Sequence, residues 1–507
     1  MGSMSCSSIS RIAIIGAGPS GIATAKYLLA EGAFDKIDIL EQRHEVGGVW
    51  NLTPNTLSKK TPIPQLDPNY SARKVAEASN ERDASDRFET PLYELLETNI
   101  PKQLMQYANR PFADDLPLFP KHQSVLDYCK EYAEDVRPLI RFGWQVSEVR
   151  PVEGGGPDGG HHSGWSVTVI EEASQKRQAY DYDAVVVASG HFSVPHIPAI
   201  KGLGAWSSSY PGSVMHSKAY RNPHPFTGKK VIVVGNSASG VDIGAQVGKV
   251  CKHPLLQSLR SENLFFSPDE VSWKENILEI VEFLCPEQYS RAVRLANGWI
   301  ERNIDAVIFA TGYFYSFPFL QINPPVVTNG SRARNVYQQL FHIKYPTLVF
   351  PALPQRIIPF PMAENQAAVI ARVWSGRLKL PPEVEMEGWE KRMLEERGDG
   401  KAMHTLNFPE DADYLNMLYD WAASATPRQG LENDQTGMMG TRWDDKSRWM
   451  RSQFPAIKKA YAEREENRFS VRTIEELGFD FEKWKDTRDE VSDTNSAAEV
   501  FESTSGG

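Results

Sequence analysis

The chain has 507 residues, 41% of them hydrophobic, enough for more than one domain with its own buried core. Its formal net charge is −10 and it carries no basic tract, so nucleic acid and anionic membrane surfaces are poor partners. Cys6, Cys129, Cys251 and Cys285 form no C-x-x-C pair, which speaks against a disulfide framework or a metal site and for a reducing compartment.

The start, "MGSMSC", resembles a myristoylation signal but has Cys6 where Ser or Thr is wanted, and it reads as a short unstructured lead. It lacks a charged stretch followed by a long apolar run, and no segment has the ~18 apolar residues of a membrane span. A soluble, cytoplasmic protein is expected.

"RIAIIGAGPSG" opens with an apolar run, Ile12 to Ile15, followed by glycines and a helical pattern. A continuous apolar run predicts a parallel strand buried on both faces. Gly16, Gly18 and Gly21 stand as G-x-G-x-x-G between that strand and the helix. The first Gly permits the tight turn, the second admits a pyrophosphate, and the third lets helix and strand pack closely. The helix N-terminus then offers free N–H groups to the phosphates. Glu41, twenty residues past Gly21 at the end of "KIDIL", is placed to accept ribose hydroxyls. "EQRHEVGGVW" follows, where Gly47 and Gly48 allow a close approach of backbone to cofactor and Trp50 can wall a ring system. This moves the first ligand from NAD towards FAD.

The segments "LIRFGWQVSEVR" and "GWSVTVI" predict strands, joined by a Gly-rich hairpin loop that carries His161 and His162. "KKVIVVGNSASGVDIGAQV" repeats the opening design, and "DAVVVASG" and "DAVIFATG" are matching strand-Gly closings. The chain thus holds two copies of one plan, nested rather than tandem. The second loop reads Gly235, Ser237, Gly240, and twenty residues past Gly240 stands Arg260. A cation at that offset suits a 2′-phosphate, so one copy is built for FAD or NAD and the other for NADP. The stretch "YPGSVMHSKAYR" between the copies shows neither strand alternation nor a helical stripe and reads as a linker by position. Beyond it, "PFPMAENQAAVIARVW" predicts a Pro-bounded helix that closes the first unit. In "DYLNMLYDW", Tyr414, Met417, Leu418 and Trp421 form a packing stripe.

In their order, "GAGPSG", "EVGGVW", "TNIPKQLM", "YPGSVMHSKAYR", "GNSASGVD", "ATGY" and "ENQ…SGRLKLP" resemble the flavin-containing monooxygenases, from about Arg11 to Pro382. Gly212, His216 and Tyr220 match the family's identifying pattern, with Tyr210 where Phe is usual. Baeyer–Villiger monooxygenases have Trp at the position of Tyr220, which tips the resemblance towards oxygenation of nitrogen or sulfur. Pro351 and Ala352 depart from the family's Ile-Gly pair.

The resemblance implies an α/β fold of two doubly wound, Rossmann-like dinucleotide-binding domains, the NADP domain inserted into the FAD domain, with a helical C-terminal extension. The expected boundaries are 10–208 and 315–382 for the FAD domain, 209–314 for the NADP domain, 383–485 for the extension and 486–507 for a disordered tail. It implies FAD and NADPH as cofactors, O2 as co-substrate, a small-molecule nitrogen or sulfur nucleophile, a C4a-hydroperoxyflavin as oxidant, and a homodimer. The implied cofactor residues are Gly16, Ala17, Gly18, Pro19, Ser20, Gly21, Glu41, Gly48, Val49, Trp50, Val146 and Gln366. Gly235, Ser237, Ser239, Gly240, Val241, Asp242, Arg260 and Gly312 complete the set on the second loop's side. Asn99 is the implied catalytic residue and, with Thr98, a contact for NADP. By its position Asn99 also reads as the N-cap of a helix beginning near Ile100. His216 reads as part of the joint that holds NADP against FAD, not as an acid–base catalyst. The segments "ARKVAEASNERDASDRF" and "LFFSPDEVSW" are candidate access routes.

Overall fold

The computed structural model describes residues 9–53, 61–70, 88–153, 162–260 and 272–487. Strand β1 (Arg11–Ile15) runs into helix α1 (Pro19–Glu31), which returns to strand β2 (Lys36–Glu41). Pro19 starts α1 at a position where a missing N–H costs nothing, and Gly32 ends it in the left-handed conformation, φ 61°. After short α2 (Lys102–Met105) and α3 (His122–Tyr132) come β3 (Ile140–Phe142), β4 (Trp144–Glu153), β5 (His162–Glu171), β6 (Arg177–Tyr182) and β7 (Ala184–Val187). Strands β4, β5 and β6 form an antiparallel layer.

Short β8 (Val194–Pro195) leads to α4 (Leu203–Ser209) and β9 (Val214–His216). The second unit continues with β10 (Val231–Val234), α5 (Ala238–Gly248), β11 (Leu255–Leu259) and β12 (Lys274–Leu278). A small antiparallel sheet follows, of β13 (Ile280–Phe283), β14 (Val293–Leu295) and β15 (Ile300–Glu301), and then β16 (Ala306–Phe309) and β17 (Tyr313–Phe314). The chain returns to the first sheet through β18 (Val336–Tyr337), β19 (Phe341–His342) and β20 (Leu348–Val349). Helices α6 (Pro359–Trp374), α7 (Glu383–Arg397), α8 (Glu410–Ala423), α9 (Asp445–Ser452) and α10 (Phe454–Ala462) complete it.

The first sheet has the order β18-β19-β20-β7-β1-β2-β3, parallel from β20 to β3. The second is wholly parallel, β12-β11-β10-β16-β9. Alternation along each central strand feeds two layers. Ile12 and Ile14 face the helices, while Ala13 and Ile15 face the β4–β6 sheet. In the second unit Val231 and Val233 face one way, and Ile232 and Val234 the other.

Two expectations change here. "YPGSVMHSKAYR" is not a linker, because Val214–His216 forms the edge strand β9, parallel to β16. Three residues are too few to show alternation in the sequence. The boundary at 208/209 is also too late: Ile197, Leu203 and Trp206 share the second unit's core with Ile232, Leu256 and Phe309. The crossing lies instead at β8, which pairs antiparallel with β17, so outgoing and returning chains form one two-stranded joint. The expected helical extension is present and packs onto the first unit. Leu415 and Leu418 of α8, Trp449 and Ile457 lie in the same core cluster as α1 and α6, with Tyr414, Met417 and Trp421 packed against it. The 154–161 loop, residues 72–87 and 264–271 of the proposed access segments, the first eight residues and the tail from 488 lie outside the described residues.

Candidate cofactor sites and the joint between them

The first loop is made by close approach. Gly16 has φ +104°, and a Cβ there would lie 2.7 Å from the carbonyl oxygen of Ala188. A Cβ at Gly21 would collide with the carbonyl oxygen of Gly16. Gly47 and Gly48 have φ +102° and +53°, and a Cβ on Gly48 would fall 2.9 Å from Gly18 Cα. The Gly47 N–H donates to the Ala17 carbonyl at 3.0 Å, which joins the two glycine loops. Val49 and Trp50 continue the second of these as a short 3-10 turn, half-buried, with Trp50 edge-on to Phe360 at 6.4 Å.

Glu41 ends β2 and is buried. Its carboxylate accepts the Ala17 N–H at 2.7 Å and the Arg43 N–H at 2.9 Å. Burial pushes its pKa up, against the pull of those backbone donors. Each oxygen keeps a second lone pair for a ligand hydroxyl. Below the loop, the Tyr107 hydroxyl donates to the Pro19 carbonyl at 3.0 Å. Tyr107 stacks on Tyr132 at 3.6 Å and on Phe360 at 4.9 Å.

The second loop repeats this backbone. Gly235 has φ +105° and a Cβ there would lie 2.6 Å from the Ala310 carbonyl oxygen. A Cβ at Gly240 would collide with the Gly235 carbonyl oxygen. Ser237 is exposed at the cap position of α5 but makes no side-chain cap, and Ser239 and Val241 are half-buried in the helix's first turn. Asp242 accepts from the hydroxyl of Tyr93 and from Gln246 at 3.2 Å, and burial pushes its carboxyl up.

The strand register corrects one equivalence. Leu40 accepts the Gly16 N–H in the first unit, and Ser258 accepts the Gly235 N–H in the second. The residue matching Glu41 in space is therefore Leu259, and Arg260 stands one place beyond, matching Gln42. The span from third glycine to strand end is one residue shorter in the second unit, so equal counting overshoots. Arg260 is 78% exposed and pairs with Glu279 at 2.8 Å.

Other expected residues are distributed as follows. Thr98 is buried, its carbonyl accepting Lys458 Nζ of α10 at 2.7 Å. Asn99 is exposed and does not cap a helix: α2 begins at Lys102, with Pro101 at the cap position. The Asn99-Ile100-Pro101 sequence explains this, since a residue before Pro is held away from helical angles. Gln366 is buried in α6, accepts the Ala352 N–H at 2.7 Å and donates to Tyr414 Oη at 3.1 Å. It thus holds the turn where Ala352 takes φ +59°, the left-handed angle that glycine would adopt without strain. Val146 pairs with Val169 within the β4–β5 ladder.

Between the loops lies the joint. The Gly312 carbonyl accepts the His196 N–H at 3.0 Å and His216 Nε2 at 3.0 Å. His216 Nδ1 accepts the Lys218 N–H at 3.0 Å, so Nε2 carries the proton and both ring nitrogens are occupied. Burial pushes this imidazole down to about 3. Tyr220 is buried against Tyr93 and donates to Gln246 of α5 at 3.0 Å.

A sequence profile described as Flavin-binding monooxygenase-like matches residues 79–267 and 270–428. The chain belongs to this family. A second profile, NAD(P)-binding Rossmann-like domain, matches residues 14–62 of the flavin monooxygenase. It is 30% identical over 481 residues to the flavin-containing monooxygenase iboF of Amanita muscaria, covering 83% of this chain and 89% of that one. It is also 30% identical over 439 residues to the thiol-specific monooxygenase of Saccharomyces cerevisiae, covering 83% and 87%. Among solved structures it resembles S-allyl-L-cysteine S-oxygenase from Allium sativum, with TM-score 0.70, 27% identity, and 92% and 96% of the two chains covered. The flavin monooxygenase is an FAD-dependent, NADPH-utilising enzyme.

The first loop has room for a dinucleotide. At Gly18 a Cβ would have just one neighbour within 4 Å, Gly48 Cα at 3.6 Å, so the middle of the first loop is open above the end of α1. The flavin monooxygenase has no helix long and apolar enough to cross a membrane, and no cluster of three metal-ligating side chains, among the described residues. Sequence reasoning missed Tyr107 and Arg43, which donates to the carbonyls of Phe88 at 2.7 Å and Gly48 at 3.3 Å. Tyr107 sits in "LMQYANR", and no local pattern ties it to a glycine loop 88 residues away.

Proposed function

We propose that this enzyme uses NADPH and O2 to oxygenate a nucleophilic sulfur or nitrogen of a small molecule in the cytoplasm. One observation carries the reading: two glycine loops have equal backbone geometry, with a buried carboxylate, Glu41, ending the strand that follows the first and an exposed cation, Arg260, one residue past the strand that follows the second. The thiol and S-allyl-cysteine activities in the names of similar proteins support sulfur as the first atom to test. The unpaired Cys129, Cys251 and Cys285 are in keeping with a reducing compartment.

FAD is assigned to Gly16 to Gly21, Glu41, Gly48, Val49, Trp50, Val146 and the α6 end held by Gln366. The nicotinamide dinucleotide is assigned to Gly235, Ser237, Ser239 to Asp242, Arg260 and Gly312. Bound flavin supplies the redox chemistry with O2, and the protein supplies binding, orientation and shielding. The α1 N-terminus faces pyrophosphate with its free N–H groups. Glu41 accepts ribose hydroxyls while tied to the loop. Trp50 bounds the ring pocket and keeps water away from it. Thr98 and Asn99 approach from the segment anchored by Lys458, with the Asn99 amide free to turn towards the ligands. His216 moves no proton: it fixes the Gly312 carbonyl and so the angle between the units.

The test has two parts. The purified protein should carry FAD, and anaerobic NADPH should bleach it far faster than NADH. Aerobic turnover against a panel of thiols, sulfides and amines should then give products heavier by one oxygen atom. Flavin reduction that yields hydrogen peroxide alone across the panel would remove the oxygenase reading.

A further inference from the structure

The C-terminal extension places a charge where the two nucleotide units meet. Residues Lys401–His404 form a 3-10 turn between α7 and α8. The turn is pinned to the first unit. Met403 O accepts Gln339 Nε2 at 2.9 Å, His404 Nε2 accepts the Ala333 N–H at 2.9 Å, and His404 O accepts the Gln355 N–H at 2.7 Å. This anchoring presents Lys401 to the joint, with Nζ 3.7 Å from the place a Gly312 Cβ would occupy.

The ammonium is half-buried and, among the described residues, has neither a hydrogen-bond acceptor nor a carboxylate in ion-pair reach. Other shielded cations in this chain are not left so. Lys102 donates to three carbonyls, at 2.7 to 3.1 Å, and Lys458 to the Thr98 carbonyl. Arg377 pairs with Glu31 at 2.7 Å and Arg332 with Glu390 at 2.9 Å. Burial alone acts on Lys401, pushing its pKa down with nothing opposing. A shielded, uncompensated charge is costly, and an anionic ligand is what offsets it.

The position says which anion. Gly312 lies just beyond the carboxyl end of β16, and Ala310 of the same segment abuts Gly235 of the phosphate loop. In open parallel sheets the ligand sits beyond the carboxyl ends of the strands. Arg260 projects from the same edge, past β11, and the charges of both Lys401 and Arg260 act on the imidazole of His196. The two cations therefore both lie within electrostatic reach of one side chain at this edge, His196.

We propose that Lys401 is a second phosphate-directed cation of the nicotinamide dinucleotide site, supplied by the C-terminal extension in addition to Arg260. This rests on the NADPH assignment above and adds to it that the extension is part of the binding site. Dinucleotide binding and seating of the 401–404 turn then favour each other by linkage.

The test uses FAD-loaded enzyme and calorimetric titration with NADP+ and NAD+ at two ionic strengths. Lys401→Met should raise the Kd for NADP+ roughly tenfold and flatten its salt dependence. Lys401→Arg should stay within about threefold of wild type, since the charge remains. A matching loss for NAD+ assigns Lys401 to the diphosphate, and a loss confined to NADP+ assigns it to the 2′-phosphate. An unchanged NADP+ Kd in Lys401→Met, at wild-type flavin content and melting temperature, overturns the proposal. So does a defect confined to the KM of a carboxylate-bearing substrate. Failure of the NADPH reading itself would show earlier and separately, as wild-type enzyme whose flavin NADPH does not reduce.

Discussion

The loops at residues 16–21 and 235–240 share a backbone and its alanine backing and differ in the side chains at the rim. Gly16 and Gly235 have φ +104° and +105°, and each backs onto the carbonyl of an alanine at the end of a neighbouring strand, Ala188 or Ala310. The surroundings diverge at the middle position, Gly18 against exposed Ser237, and at the strand end, where buried Glu41 is matched by Leu259 and exposed Arg260 follows one residue later. The first loop also rests on a floor, since Tyr107 holds Pro19 and stacks on Tyr132, whose hydroxyl donates to Glu364 of α6 at 2.9 Å. The shared part is what strand, turn and helix need in order to pack; the divergent part is where, on the proposed assignment, one dinucleotide would be told from another. A glycine fingerprint therefore reports the turn, and the side chains at its rim report the ligand.

The largest expected effects come from filling matched glycines. Gly21→Ala and Gly240→Ala each press a methyl into a backbone carbonyl that has no room to move, at roughly 3 kcal/mol or more of local stability. Gly21→Ala should yield protein without flavin, by absorbance. Gly240→Ala should keep its flavin and lose reduction by NADPH at least a hundredfold. Loss of flavin from Gly240→Ala would show that the two loops are not independent.

Next is the rim. Arg260→Ala removes a charge-assisted contact worth about 1.5–3 kcal/mol, so the KM for NADPH should rise roughly 10- to 100-fold with NADH little affected. An equal loss for both coenzymes would leave the loops without their proposed difference at the 2′-phosphate.

The floor gives a pH signature. Burial raises Glu364 from 4.5 to about 7, against the N–H of Ala108 at 2.7 Å and the Tyr132 hydroxyl. A raised carboxyl favours the folded state while protonated. That contribution is complete below about 4.5 and is lost as pH rises through about 7. The difference between the two ends is about 3 kcal/mol. Glu364→Gln, which cannot ionise, should melt several degrees above wild type at pH 8.5, with the gap closing below pH 5. A gap that does not change with pH would remove Glu364 as the titrating group beneath the first loop.

The smallest effect is expected at the joint. His216 is held neutral, down at about 3, so His216→Asn should weaken NADPH binding without moving any inflection of the pH–rate profile between about 5 and 9. A vanished inflection would make His216 a titrating participant in the reaction.

Much of this was legible in the chain because it is local. Strand, glycine turn and helix lie within 21 residues from Arg11 to Glu31, and apolar runs in β1, β7, β10 and β16 announce themselves without their partners. Asn99 as a helix cap was misread because Pro101, two residues on, outweighs the capping preference of Asn. Arg260 was placed by counting, and only the ladder between β10 and β11 showed that it stands one residue past the equivalent of Glu41.

By itself the sequence determined that there are two nucleotide units, which one is nested in the other, and that residues of opposite charge, Glu41 and Arg260, stand at or just past the strands that follow their loops. These follow from hydrophobic runs, glycine spacing and residue type, all of which act over short stretches. The tertiary structure alone decided that Val214–His216 is an edge strand, that the units cross at β8 and β17, that α6 and the C-terminal helices share one core, and that Lys401 meets Gly312. Each of these depends on residues tens to hundreds of positions apart, brought together by burial of apolar surface that has no local period to announce it.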